Sequence, residues 1–145
     1  MNAGLPTGAR ALDRTIIDAY RLARYRVDGK FDLTIDQPNA ALGAWHLANG
    51  RSCSALITGC NPGSRVCSDA HNRAATTRLE TIIRAEGLPF CTTLALDPSA
   101  EWPPERGFLI AGLDQTAAEA LGRQFGQNAV VWSGGDAVPR LLVLI

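Results

Sequence analysis

Hydrophobic and polar positions change period several times along this chain. Leu12, Ile16, Ala19, Tyr20, Ala23 and Val27 recur at helical spacing, with Asp13, Arg14, Asp18 and Arg21 opposite, and Asp28-Gly29 ends that helix. Phe31, Leu33 and Ile35 then alternate with Lys30, Asp32 and Thr34, the period of a half-buried strand, which Pro38 stops. Leu42 to Ala48 reads as a short helix closing at Asn49-Gly50, and the apolar run from Ser54 to Thr58 as a central strand. Ala75, Leu79, Ile82 and Ile83 mark the buried stripe of a helix capped by Ser68, with Asp69 in its first turn and Gly87 at its end.

Phe90 to Leu96 is the next predicted strand. Asp97 to Gly107 holds three prolines and reads as a loop, followed by a strand over Phe108–Ala111. Asp114 caps a helix carrying Ala117, Ala118, Leu121 and Phe125, with Gly126 as its left-handed end. Residues 128–132 and 140–145 form a closing hairpin around Gly134-Gly135. The predicted core is Leu56, Leu79, Ile82, Ile83, Leu94, Leu109, Leu121, Phe125 and Val131. The pattern describes one α/β domain over residues 11–145, after a loose Gly, Pro and Ala-rich lead-in over 1–10. Three main helices are expected to pack on a mixed sheet of about six strands.

Charge and cysteine usage narrow the function classes. The 14 basic and 14 acidic side chains cancel, so no net field draws a polyanion, and nucleic acid is not an expected partner. Arg10, Arg14, Arg21, Arg24 and Arg26 read as a solvated face of the first helix. No apolar run approaches the ~18 residues of a membrane helix, and the N-terminus lacks the basic and apolar regions of a signal peptide. A cytoplasmic setting with reduced thiols is therefore expected, without membrane contact. Cys53, Cys60, Cys67 and Cys91 show no C-x-x-C spacing, so no metal is expected, and all but Cys67 are read as small buried hydrophobes. Neither a dinucleotide fingerprint nor a phosphate-binding loop motif is present, and no cofactor is expected.

The chemistry concentrates in TGCNPGSRVCSDAHNR, residues 58–73, between a strand and a helix. Asn61 and Ser64 are turn formers that can bond their own backbone or a ligand. Ser68 caps the helix, and Arg65 and Arg73 can add charge-assisted bonds to an anion beside it; Arg73 can instead pair with Asp69. Asn72 falls on the apolar stripe of Ala75, Leu79 and Ile83, so its amide needs partners, either carbonyls of residues 60–64 or a bound molecule. Cys67 and His71 share the helix start without an orienting carboxylate, and a catalytic dyad is not expected there. His46 reads as a partly exposed helix residue. Two further loops add polar groups. Trp102 sits in a rigid proline segment with Glu101 and Glu105, carboxylates suited to acid–base work or simply to solvent. Gln127 and Asn128 enter a strand just after a helix end, where they either read a ligand or close the turn.

Those same residues carry a resemblance. Ile57-Thr-x-x-Asn-Pro-x-Ser64, Ser68-x-x-x-Asn72-Arg73, Trp102 with Glu105, Gly112-Leu113 and Phe125-Gly-Gln-Asn-Ala129 together resemble the bacterial domain of unknown function 3293 family. These are small stand-alone proteins without an assigned activity, and the resemblance spans roughly residues 12 to 133. The family pattern has Glu-Pro-Ser-Phe where this chain reads Glu105-Arg-Gly-Phe108, so any role of a serine at 107 is absent. The resemblance implies no reaction, but it adds weight to the three polar loops acting together. Three functions stay open: a cleft for a small anionic or nucleotide-like ligand, a hydrolase using Glu101 or Glu105, and a non-enzymatic interaction module.

Overall fold

The computed structural model describes residues 14–145; the expected lead-in over 1–10, with Arg10, Leu12 and Asp13, lies outside the described residues. In chain order the elements are α1 (Arg14–Leu22), β1 (Arg24–Val27), β2 (Phe31–Leu33), α2 (Ala40–Ala48), β3 (Ser54–Ile57) and α3 (Asp69–Glu86). There follow β4 (Phe90–Leu96), β5 (Glu105–Ala111), α4 (Gln115–Gln124), β6 (Ala129–Ser133) and β7 (Arg140–Val143). The α/β class holds, but the sheet has seven strands, ordered β2-β1-β4-β5-β3-β6-β7, and every neighbouring pair is antiparallel. Strands β2, β3 and β4 run in one direction and are joined through α2 and α3, but β1 and β5 lie between them in the sheet, so no two parallel strands are neighbours.

The extra strand comes from the first apolar stripe, and the fourth helix is the expected short one, α2. Helix α1 stops at Leu22, and Tyr25 and Val27 continue as alternate buried residues of a strand. Asp28 and Gly29, read as a helix end, have φ of 52° and 66°, the paired left-handed conformation of a hairpin turn, within a three-residue loop between the paired Val27 and Phe31. The N–H of Lys30 closes that turn on the carbonyl of Val27 at 2.8 Å. Strand β5 also begins at Glu105 rather than Phe108, because the prolines stop at 104 and Glu105 and Arg106 pair with Ala95 and Leu94.

Alternation along the strands buries both faces. Ala55, Ile57, Phe108, Ile110 and Val130 pack against Leu79 and Ile83 of α3 and Ala118 of α4. On the other face, Leu56, Leu109 and Val131 join Tyr25, Val27 and Leu42 of α2. The predicted core is buried at six positions: Leu56, Leu79, Ile83, Leu109, Phe125 and Val131. Ile82 and Leu121 are half-buried against it, whereas Leu94 is half-buried outside both clusters. His46, expected to be partly exposed, is buried at 4% exposure, its Nε2 2.8 Å from Ser54 Oγ. The helix turns its imidazole to the sheet because Leu42, four residues earlier, is buried on the same side. Among the described residues no helix is long and apolar enough to cross a membrane.

Candidate functional site

Antiparallel order brings the C-terminal ends of β3 and β4 beside the N-terminal ends of β5 and β6. The loops after Thr58, before Glu105 and before Ala129 therefore gather at one end of the sheet.

The first loop is built around Asn61. It takes a left-handed backbone, φ 48°, as do Gly63 at 67° and Ser64 at 62°. Asn tolerates this conformation better than most residues, and here its groups are paired. Its N–H donates to Asn72 Oδ1 at 3.0 Å, and its Oδ1 accepts from Asn72 Nδ2 at 3.0 Å and from the Cys67 N–H at 2.9 Å. Its Nδ2 donates to Glu105 Oε2 at 2.9 Å. The loop is sewn to the turn before β6: the Gly63 N–H donates to the Gly126 carbonyl at 2.8 Å, and Gln127 Nε2 to the Cys60 carbonyl at 3.0 Å. Asn128 Nδ2 donates to Ser64 Oγ at 2.9 Å, and the same oxygen lies 2.7 Å from the hydroxyl of Tyr20 on α1. The hydroxyl of Tyr25 in turn donates to the Tyr20 carbonyl at 2.8 Å, so α1 is tied down over the sheet.

Beneath α1, on the sheet face that also meets α2, lies a cavity of about 100 Å³. Leu56, Ala95, Val131 and Leu141 make its apolar floor, Ile16 and Ala19 its roof, and Trp102 closes one side. Its polar lining includes Tyr20, Asn61, Ser64, Thr93, Asp97, Glu105 and, from the turn before β6, Gln127. Gly107 borders the floor, where no side chain fits: a Cβ there would sit 2.7 Å from the Ile57 carbonyl oxygen and 3.1 Å from Thr93 Oγ1. Thr93 is 5% exposed, and its hydroxyl has no hydrogen-bond partner among the described residues. A buried hydroxyl in that position calls for a partner.

The electrostatics are one-sided. Among the described residues no Lys, Arg or His lines the cavity. Burial pushes the Glu105 carboxyl above its ordinary value, with the Asn61 hydrogen bond opposing. Burial likewise raises Tyr20, against its hydrogen bonds to Ser64 and Asn128, and Glu105 adds to the rise. Asp97 differs: burial would raise it, but bonds from Ser99, Trp102 and Glu101 hold it below its usual range, and it stays ionised.

The structure thus brings together Asn61, Ser64, Asn72, Glu105, Trp102, Gln127 and Asn128. Asn72 braces Asn61 rather than the carbonyls of residues 60–64, and Gln127 closes the turn. Arg65, Ser68 and Arg73 are exposed and outside the cavity lining, as is Glu101. Ser68 caps α3 by accepting from the His71 N–H at 3.1 Å, and no ion pair joins Arg73 to Asp69 among the described residues. The sequence reading did not single out Tyr20, Tyr25, Thr93 or Asp97. Period two over Cys91, Thr93 and Ala95 places Thr93 on an inward face, and that signal was available.

Residues 57–130, just over half of the chain, match the family model described as Protein of unknown function (DUF3293). No curated protein and no solved structure matches the chain.

Proposed function

The chain belongs to the DUF3293 protein family, and since that family's description carries no reaction, we propose from the site alone that it binds a small, compact molecule in the cavity under α1. The observation that carries this reading is the convergence of three polar loops on an apolar hollow holding a half-buried carboxylate and an unpartnered hydroxyl. Apolar walls with a few fixed polar groups are the usual make-up of a ligand site. Size sets the scale: an apolar cavity of about 150 Å³ takes benzene, so 100 Å³ accepts a body of about that size at most. A nucleotide is too large to enter whole. An anion finds less support than a neutral or cationic molecule, because Arg65 and Arg73 stand outside the lining and Glu105 within it.

Acid–base chemistry is a second reading. A carboxyl with a raised pKa, held by Asn61 and near Tyr20, is poised to give or take a proton. Glu105, not Glu101, would carry it.

A fragment screen by ligand-observed NMR tests the binding reading. Fragments of four to six heavy atoms should bind the natural protein and lose binding in Ala95→Leu, which fills the floor, with its thermal midpoint retained. Fragments that bind both proteins equally would place binding elsewhere and remove the reading.

A further inference from the structure

Among the described residues every ionisable group lining the cavity is an acid: Glu105 from β5, Asp97 from the end of β4, Tyr20 from α1 and Tyr25 from β1. Among the described residues Glu105 has no cationic partner; only the Asn61 amide offsets its burial. A carboxylate drawn from water is costly unless it is paired. Asp97 is spent on its own turn: its Oδ2 accepts from the Glu101 and Trp102 N–H groups, both at 2.9 Å, and it adds negative potential without needing a ligand. Three aromatic residues, Tyr20, Tyr25 and Trp102, also line the space, and ring faces attract cations.

We propose that the cavity selects a small primary ammonium with a short aliphatic body, its N–H groups donating to Glu105 and to the Thr93 hydroxyl. The inference rests on the cavity being the ligand site, as proposed above. A primary ammonium suits the pair better than a quaternary one, because both acceptors need donated hydrogens. A branched four-carbon body matches the apolar floor of Leu56, Ala95, Val131 and Leu141 and the volume of about 100 Å³.

The test is calorimetric titration, near pH 7.5, with isobutylammonium, isobutanol, isobutyrate and tetramethylammonium. Isobutylammonium should bind at least tenfold more tightly than isobutanol and tetramethylammonium, and isobutyrate not at all. Glu105→Gln should bring the ammonium down to the level of the alcohol. Thr93→Val should weaken both three- to tenfold. In the natural protein, ammonium affinity should fall as pH drops towards the ordinary glutamate value of 4.5, because Glu105 takes up its proton above that value. Alcohol binding as tight as ammonium, or ammonium affinity unchanged in Glu105→Gln, overturns the ammonium class and leaves the cavity reading standing. Failure of all four probes overturns the class, and failure of the fragment screen as well overturns the cavity reading with it.

Discussion

Asn72→Ala is the most direct probe of how the site is held. The side chain makes two hydrogen bonds at 3.0 Å, both to Asn61, which is 6% exposed. Truncation leaves the Asn61 N–H buried without an acceptor, a penalty of about 1–3 kcal/mol. The second bond is lost more cheaply, about 0.5–1.5 kcal/mol, because Asn61 Oδ1 still accepts from the Cys67 N–H at 2.9 Å. The sum is about 1.5–4.5 kcal/mol. For a domain of this size each kcal/mol moves the thermal midpoint by about 2–4 °C, so a fall of roughly 3–18 °C is expected. Urea unfolding followed by circular dichroism gives the free energy, with an unchanged slope showing that the denatured state is unaltered. Arg65→Ala, exposed and outside the network, should change stability by less than about 0.5 kcal/mol. A loss at Asn72 no larger than that at Arg65 would refute the bracing argument.

Other outcomes follow from burial and charge. Burial holds His46 below its ordinary 6.5, so the unfolded chain binds a proton that the folded one resists, and stability should fall as pH drops below 6.5. His46→Gln should flatten that slope in urea midpoints taken between about pH 7.5 and 5.5; an unaltered slope would assign it to another group. Glu105 has the opposite sign: its folded value lies above 4.5, so its contribution is present below 4.5 and lost as pH rises through the folded value. Glu105→Gln should therefore stabilise the protein at pH 7.5 and do so less at 4.5, as substitutions at strained functional positions often do; a destabilised variant at pH 7.5 would contradict this. Burial, with Asp28 beside it, pushes the Cys91 thiol up to about 11, against Lys30. Iodoacetamide at pH 8 should modify Cys91 more than about tenfold slower in the folded than in the unfolded protein, by peptide mass spectrometry.

Much of the fold was legible where local chemistry and global packing agree. Ser68, Gly87, Asp114 and Gly126 mark the helix ends they were expected to mark, and Gly87 and Gly126 have φ of 73° and 68°. The first stripe misled because Ala19, Ala23 and Val27 satisfy period four while Ala23, Tyr25 and Val27 satisfy period two. Asp-Gly can end a helix or turn a hairpin, and the pairing of β1 with β4 decided it. A mixed sheet was expected because buried apolar strands alternate with helices in parallel folds, but strand direction is a long-range property. The polar loops could be read from residue type, and Asn72 from its place on an apolar stripe. The cavity could not, because its roof and floor come from α1 and from strands paired far along the chain.

Strand β3 has a consequence for how the molecule is made. Both of its neighbours lie downstream, β5 over 105–111 and β6 over 129–133, so at synthesis it emerges with no partner to pair with. Its four consecutive buried residues must wait for more than half of the chain to follow. Loop closure over such distances slows folding and leaves apolar surface open meanwhile. The order of assembly is thereby set: the hairpin of β1 and β2 can form at once, whereas the hollow under α1 is sealed among the last events, when β6 docks. A nascent chain paused before residue 126 would hold the Asn61 loop without its Gly126 and Gln127 anchors, and it is at that stage that a holding chaperone has most to protect.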